Sequence, residues 1–288
     1  MSVSVADKNG PGLVLPSLNP IRPMDVLEAK ADLGRWFDSS NATRYFSTYS
    51  STDPTDPMPL GFLDGKWTQR LIQRQGFWVD PDMCRLASIA AQSLPAEAEV
   101  EPATPQGFIY LELPNPLSLH DGFPLQMQGV TWDETIMFGL YRLRRALVPT
   151  EWPIPYRDSI IFEASLWHDL HSIVSWAKTY WLLLAQRLST QTAARIDRAT
   201  RRRCRHRSVP DNQTVEIVSL RRSAIEESQS CDEPRSIEWT HRWMVDGHWR
   251  NQWYPSDQAH RFTWIAPYIK GPPDKPFVLR EKVYRWHR

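Results

Sequence analysis

Between residues 159 and 190, Leu166, Leu170, Ile173, Val174, Ala177, Trp181, Leu184, Ala185 and Leu188 recur at intervals of three and four. Only an α-helix returns such positions to one stripe, so a long amphipathic helix with a wide apolar face is expected. That stripe must be buried, and the rest of the chain has to supply the layer that covers it. His168, His171, Ser175 and Lys178 fall on the opposite, polar face. The period continues through Ala193 and Ile196 into the basic run Arg201-Arg-Arg-Cys-Arg-His-Arg207 and stops before Pro210. Residues 156–207 therefore read as a helix with a basic end.

Other segments carry different signals. Residues 1–23 hold Pro, Gly and Ser without a period and read as a loose lead-in. Val26, Leu27, Leu33, Trp36 and Phe37, following Pro23, predict a first helix over 24–37. Short helices are expected at 66–75 and 82–94, a turn-rich loop at 47–59 and an acidic linker at 97–105. Gly107–Leu113, Gln126–Trp132 and Thr135–Arg145 read as strands, the last two joined through Asp133-Glu134 as a hairpin. Pro149, Pro153 and Pro155 mark the best boundary. Beyond the basic run come a strand at 215–220, a polar loop at 223–236, aromatic strands near 239–249 and 261–266, and a last strand near 278–286. The expected class is α+β, with an N-terminal mixed region (24–150), the long helix (156–207) and a Trp/Arg-rich C-terminal antiparallel sheet (213–288).

Composition narrows the function classes. The 288 residues are 41% hydrophobic and 23% charged, which suits a soluble protein with a sizeable core. Net charge is only +1, so any attraction to polyanions has to come from local clustering. Residues 187–222 provide it, with ten arginines against Asp197, Asp211 and Glu216. Cys84, Cys204 and Cys231 are scattered and odd in number, which argues against a disulfide framework or a cysteine zinc site and fits a reducing cytoplasm. No basic start followed by an apolar core marks a signal peptide. Glu163, His168, Asp169, His171 and Lys178 interrupt the most apolar stretch, so no membrane partner is expected.

The candidate chemistry lies near the C-terminus. If 239–250 is one strand, Trp239, His241, Trp243 and Val245 share a face, and Arg242, Met244, Asp246, His248 and Arg250 share the other. A histidine moves a proton near neutral pH and an arginine clamps two phosphate oxygens. Arg242, His248 and Arg250 are thus candidate catalytic groups, with Lys282 as a further cation. One wet face of an ordinary sheet explains the same pattern. Trp249, Trp253 and Tyr254 are candidate stacking platforms for bases, although Trp253 could equally fold back over the sheet. Arg201, Arg202, Arg203, Arg205 and Arg207, with Arg221 and Arg222, are candidate phosphate contacts; a solvated helix terminus accounts for them too. His168 and His171 form half of a metal site without a third ligand, so they read as an exposed pair and neither metal nor cofactor is expected. No phosphate-cradling glycine loop, dinucleotide fingerprint, nucleophile elbow or HExxH motif occurs.

The segments Val215–Arg222, Val245–Ser256 and Trp264–Pro272 resemble the C-terminal signature of an uncharacterised family of actinobacterial and actinophage proteins. Gly107–Leu113 and Val130–Trp132 are loosely similar to that family's N-terminal half. The resemblance implies a bacterial or phage cytoplasm and a mobile-element context, and brings no activity or functional residue. The leading expectation is a nucleic-acid-binding protein contacting RNA or DNA through the basic helix end and the aromatic sheet. A metal-independent ribonuclease using His248 is the alternative. A protein-interaction module is the third reading, since Trp, Tyr and Arg also dominate interface hot spots.

Overall fold

The computed structural model describes residues 22–47, 62–95, 98–118, 124–143, 146–150, 154–155, 164–221 and 239–278. Helix α1 (Asp25–Phe37) forms where apolar side chains recur every three to four residues, and it buries Val26, Leu27, Leu33 and Phe37. Helix α2 (Ser40–Ser47), in a stretch for which no element was expected, adds Tyr45 and Phe46 to the same core. Helix α3 (Trp67–Gln73) starts on the carboxylate of Asp38, which accepts the N–H groups of Trp67 and Thr68 at 2.8 Å each. Two donors of its first turn are thus satisfied from the end of α1. Gly34 permits this crossing, because a Cβ there would lie 2.5 Å from Thr68 Cα.

Strand β1 (Gln75–Val79) is a short apolar run without alternation, a pattern that sequence periodicity does not separate from a helix. Helix α4 (Pro81–Ala91) follows, capped by Asp80, whose side chain accepts Met83 N–H at 2.8 Å, with Pro81 in the first turn. Next come β2 (Gly107–Ser118), β3 (Pro124–Trp132), β4 (Ile136–Leu143), β5 (Ala146–Pro149) and the two-residue β6 (Ile154–Pro155). Pro114 does not end β2: its register against β3 shifts between Tyr110 and Asn115 and pairing resumes, so an irregularity absorbs the proline.

The single helix expected over 156–207 is corrected. In the described part, α5 (Ala164–Leu184) gives way to β7 (Ser189–Ala194) and then α6 (Arg198–His206). Ser189-Thr-Gln-Thr192 puts hydroxyl and β-branched residues where a helix gains least and a strand gains most. β7 pairs antiparallel with β8 (Val215–Leu220) from Ser189↔Leu220 to Ala194↔Val215. The C-terminal sheet is likewise corrected: β8 enters the central sheet. The remaining strands form two separate antiparallel pairs, β9 (Trp243–Val245) with β12 (Tyr268–Lys270) and β10 (His248–Tyr254) with β11 (Ala259–Ile265). The expected strand near 278–286 and the loop at 223–236 lie outside the described residues, apart from Val278.

The central sheet has the order β5-β4-β3-β2-β1-β8-β7, with β6 against β4. β1 runs parallel to β2 and β8, and the other pairs are antiparallel. The class is α+β. Alternation along the strands divides the core into two layers. Trp78, Phe108, Tyr110, Phe138 and Leu140 meet α1, α2, α3 and α6 on one side. Phe77, Val79, Ile109, Leu111, Val130 and Trp132 meet α4, α5 and Trp264 of β11 on the other. No described helix is long and apolar enough to cross a membrane.

Candidate nucleic-acid interface

Helix α6 carries most of the basic run. Asp197 caps it, accepting Thr200 N–H at 2.6 Å, and the hydrogen bonds from Thr200 hold the Asp197 carboxyl below its ordinary range. The helix ends at His206 with Arg207 as its C-cap, just before Ser208 with φ 57°. With 3.6 residues per turn its arginines fall on two stripes.

The inner stripe is Thr200, Arg203 and Cys204, continued by Arg207. Thr200 and Cys204 are buried. Arg203 reaches Glu28 Oε1 at 2.5 Å and Asp25 Oδ1 at 3.2 Å. Arg207 reaches Glu28 Oε2 and Asp32 Oδ1 at 3.0 Å each. These carboxylates sit at i, i+3 and i+7 on α1, so an acidic stripe receives a basic one. The hydrogen bond to Glu28 raises the Arg203 pKa and that to Asp32 raises Arg207, so both stay firmly charged. Burial pushes the Cys204 thiol up. Two of the five arginines in the run, out of seven expected phosphate contacts, are therefore internal ties.

The outer stripe is Arg198, Arg201, Arg202 and Arg205, at i, i+3, i+4 and i+7, all exposed. Arg205 pairs with Asp211 at 3.1 Å. For Arg198, Arg201 and Arg202 no ion-pair partner is seen among the described residues. Arg198 precedes the run that the sequence reading singled out; extending helical spacing back from Arg201, Arg202 and Arg205 would have found it. Arg221 is exposed at the far end of the β7–β8 ladder from α6, its N–H bonded to Leu188 O at 2.8 Å. Arg222 and Lys282 lie outside the described residues.

The aromatic candidates sit in the other layer. Trp249 turns inward: its Nε1 donates to Ala90 O at 2.8 Å and its ring meets Trp264 edge-on at 5.3 Å. That position anchors the β10–β11 hairpin and leaves the Trp249 ring only partly exposed. Trp253 is 45% exposed beside His260, with 5.0 Å between ring centroids. Tyr254 is half-buried under the Arg261 guanidinium, and its hydroxyl lies 3.3 Å from Thr263 Oγ1. The sheet thus separates these aromatics from α6.

The expected strand 239–250 is interrupted at Asp246-Gly247, so Arg242, just before β9 and bridged to Phe277, and His248, in β10, do not share a strand. Arg242 is held by its own loop, with Nε donating to Lys275 O at 2.9 Å. His248 and Arg250 remain on one exposed face of β10. His248 Nδ1 lies 3.0 Å from Asp246 O, so Nδ1 is the donor in that bond. The side chains of His168 and His171 lie outside the described set.

Sequence reasoning missed a cleft of about 590 Å³ between the start of α3, residues 105–106 and the β3–β4 turn. Arg74 lies in its wall, bonded to Thr131 Oγ1 and Asp133 Oδ2 at 2.7 Å each. Asp133 Oδ1 also accepts Thr135 and Ile136 N–H at 3.1 Å. Arg70 pairs with Asp64 at 2.5 Å. These groups hold the turn and the helix start together. Asp133-Glu134 was visible in the sequence only as a turn. No family model matches the chain, and neither a curated protein nor a solved structure matches it.

Proposed function

We propose that the protein binds nucleic acid, in a bacterial or phage setting, through the outer arginine stripe of α6. The observation that carries this reading is the division of labour on one short helix. Arg203 and Arg207 are neutralised by α1, whereas Arg198, Arg201 and Arg202 point to solvent beside Arg205. A helix turn advances about 5.4 Å, so three levels of guanidinium are presented along one line. Such a row suits a phosphate backbone, with bidentate contacts and release of counterions. The reading needs no high net charge, because the cluster is local.

The test is fluorescence anisotropy with labelled single-stranded RNA and duplex DNA at several salt concentrations. Affinity is expected to fall as salt rises, and the log–log slope to shrink by roughly one for each of Arg198, Arg201 and Arg202 changed to alanine. Binding that is indifferent to the triple alanine variant would sink the proposal. Endpoint samples run on a denaturing gel also address the ribonuclease alternative: RNA cleaved by the wild type and spared by His248→Ala would move the function to β10.

A further inference from the structure

The geometry points to a second, separate binding site: we infer that the open edge of β7 accepts an extended, acidic segment of a partner protein as an added strand. β7 is the terminal strand of the central sheet and pairs only with β8 among the described residues. The ladder fixes which backbone groups are open. Arg221 N–H donates to Leu188 O, so Leu188↔Arg221 is a hydrogen-bonded pair, and Thr190, Thr192 and Ala194 turn their backbone groups toward β8. Asp80 N–H donating to Val218 O agrees, since it shows that the alternate residues of β8 face β1. Ser189, Gln191 and Ala193 therefore direct their N–H and C=O groups away from the sheet. The Ser189 N–H is taken by Gln186 O at 3.2 Å, which leaves a C=O there and both groups at Gln191 and Ala193.

Edge strands are usually blunted by charge, proline or a bulge. Ser189-Thr-Gln-Thr-Ala-Ala194 has none of these, and its register with β8 is unbroken. Gln191, Thr192 and Ala193 are exposed. Strand addition uses such an edge, with backbone bonds supplying affinity.

Charge selects the occupant. Arg187 and Arg195 flank the strand, both exposed and neither with an ion-pair partner among the described residues. The acid of this ladder, Glu216, lies one strand further in, opposite Ala193. A second copy of the chain is disfavoured: two-fold antiparallel pairing centred on Gln191 sets Arg187 of one copy directly against Arg195 of the other, at both ends. Like charges directly opposite destabilise a pair of strands. A segment with glutamate or aspartate at each end and β-branched residues between fits instead.

The probe is a labelled peptide, Glu-Glu-Thr-Val-Thr-Val-Thr-Glu-Glu, titrated against the whole protein, with a lysine-ended counterpart and an acidic version N-methylated at alternate residues. The acidic peptide is expected to bind and the lysine peptide to fail. N-methylation, Ala193→Pro and Arg187→Glu/Arg195→Glu should each weaken binding at least tenfold. Proline at 193 removes a donor that faces outward, so the β8 ladder and the melting temperature should be retained. Should Ala193→Pro unfold, the N-methylated peptide makes the same distinction from the ligand side. Equal binding of the N-methylated peptide would overturn the inference in favour of charge alone. No binding of the acidic peptide, or a wild-type dimer dissolved by Arg187→Glu or Ala193→Pro, would overturn it outright. Arg198, Arg201 and Arg202 lie outside this ladder, so their alanine variants separate this site from the nucleic-acid stripe.

Discussion

Lys30 sits in the middle of α1 with no exposed surface, its Nζ donating to Ile72 O at 3.1 Å and Arg74 O at 2.5 Å. Burial, and then the neighbouring Arg74 guanidinium, bring its pKa down to about 7. The sign follows from the two states. Below pH 7 the lysine is protonated whether folded or not. Above it the folded chain releases a proton that the unfolded chain keeps up to its ordinary value of 10.5. Stability should therefore rise with pH from 7 upward, at a limiting slope of about 1.4 kcal/mol per unit for one proton. Burial raises the Cys84 thiol to about 11 and the Tyr110 phenol to about 12, and both oppose the trend once their unfolded forms ionise. The useful window is thus pH 7 to 9. Urea unfolding across it should show increasing stability in the wild type and a flatter profile in Lys30→Met; matching slopes would exclude Lys30 as the source. None of this was legible in the sequence, where a lysine amid an amphipathic helix reads as part of its wet face.

At the scale of the element, the α1–α6 pairing separates the arginines tied to α1 from those proposed to bind nucleic acid. Arg203 and Arg207 share Glu28, whose side chain is largely shielded. Their alanine variants should each lower stability by about 0.5–2 kcal/mol, discounted for the partial exposure of the guanidinium groups. The two losses should be non-additive because the acid is shared. Arg201→Ala and Arg202→Ala should change stability by less than about 0.5 kcal/mol and act on nucleic-acid affinity instead. Urea titration of the four variants and the Arg203/Arg207 double variant checks this; comparable destabilisation by Arg201→Ala would mean that the outer stripe has a structural partner. The sequence displayed the charge of the run but not its partition, because its acidic partners lie 175 residues or more upstream. α1, β3, β4 and β8 were readable from local periodicity and turn residues. β1, buried on both faces, was not, and the α5–β7–α6 succession was masked by apolar residues that continue at helical spacing across a strand.

Across the whole molecule, the chain builds its sheet from distant segments and spreads its candidate groups over two faces. β8 crosses back to lie between β1 and β7, so the boundary suggested by Pro149–Pro155 does not separate two sheets. The hairpin β10–β11 is then fastened to the α4–α5 layer by two bonds, Trp249 Nε1 to Ala90 O and Trp264 N–H to Gln186 Oε1 at 3.0 Å. Gly247 makes room for this dock, since a Cβ there would lie 2.5 Å from Trp264 Cζ2 and 3.1 Å from Pro267 Cδ. Gly247→Ala and Trp249→Ala should therefore loosen the hairpin, with Trp249→Ala costing about 2–3 kcal/mol, below the loss typical of a fully buried tryptophan. Hydrogen exchange should accelerate across 248–265 while β1, β2 and β3 stay protected. Because α6 lies in the opposite layer, RNA affinity should stay within about twofold in these variants and in Trp253→Ala. A tenfold loss on Trp253→Ala would mean that the nucleic acid wraps around the sheet to reach both layers, returning the aromatic hairpin to the binding surface.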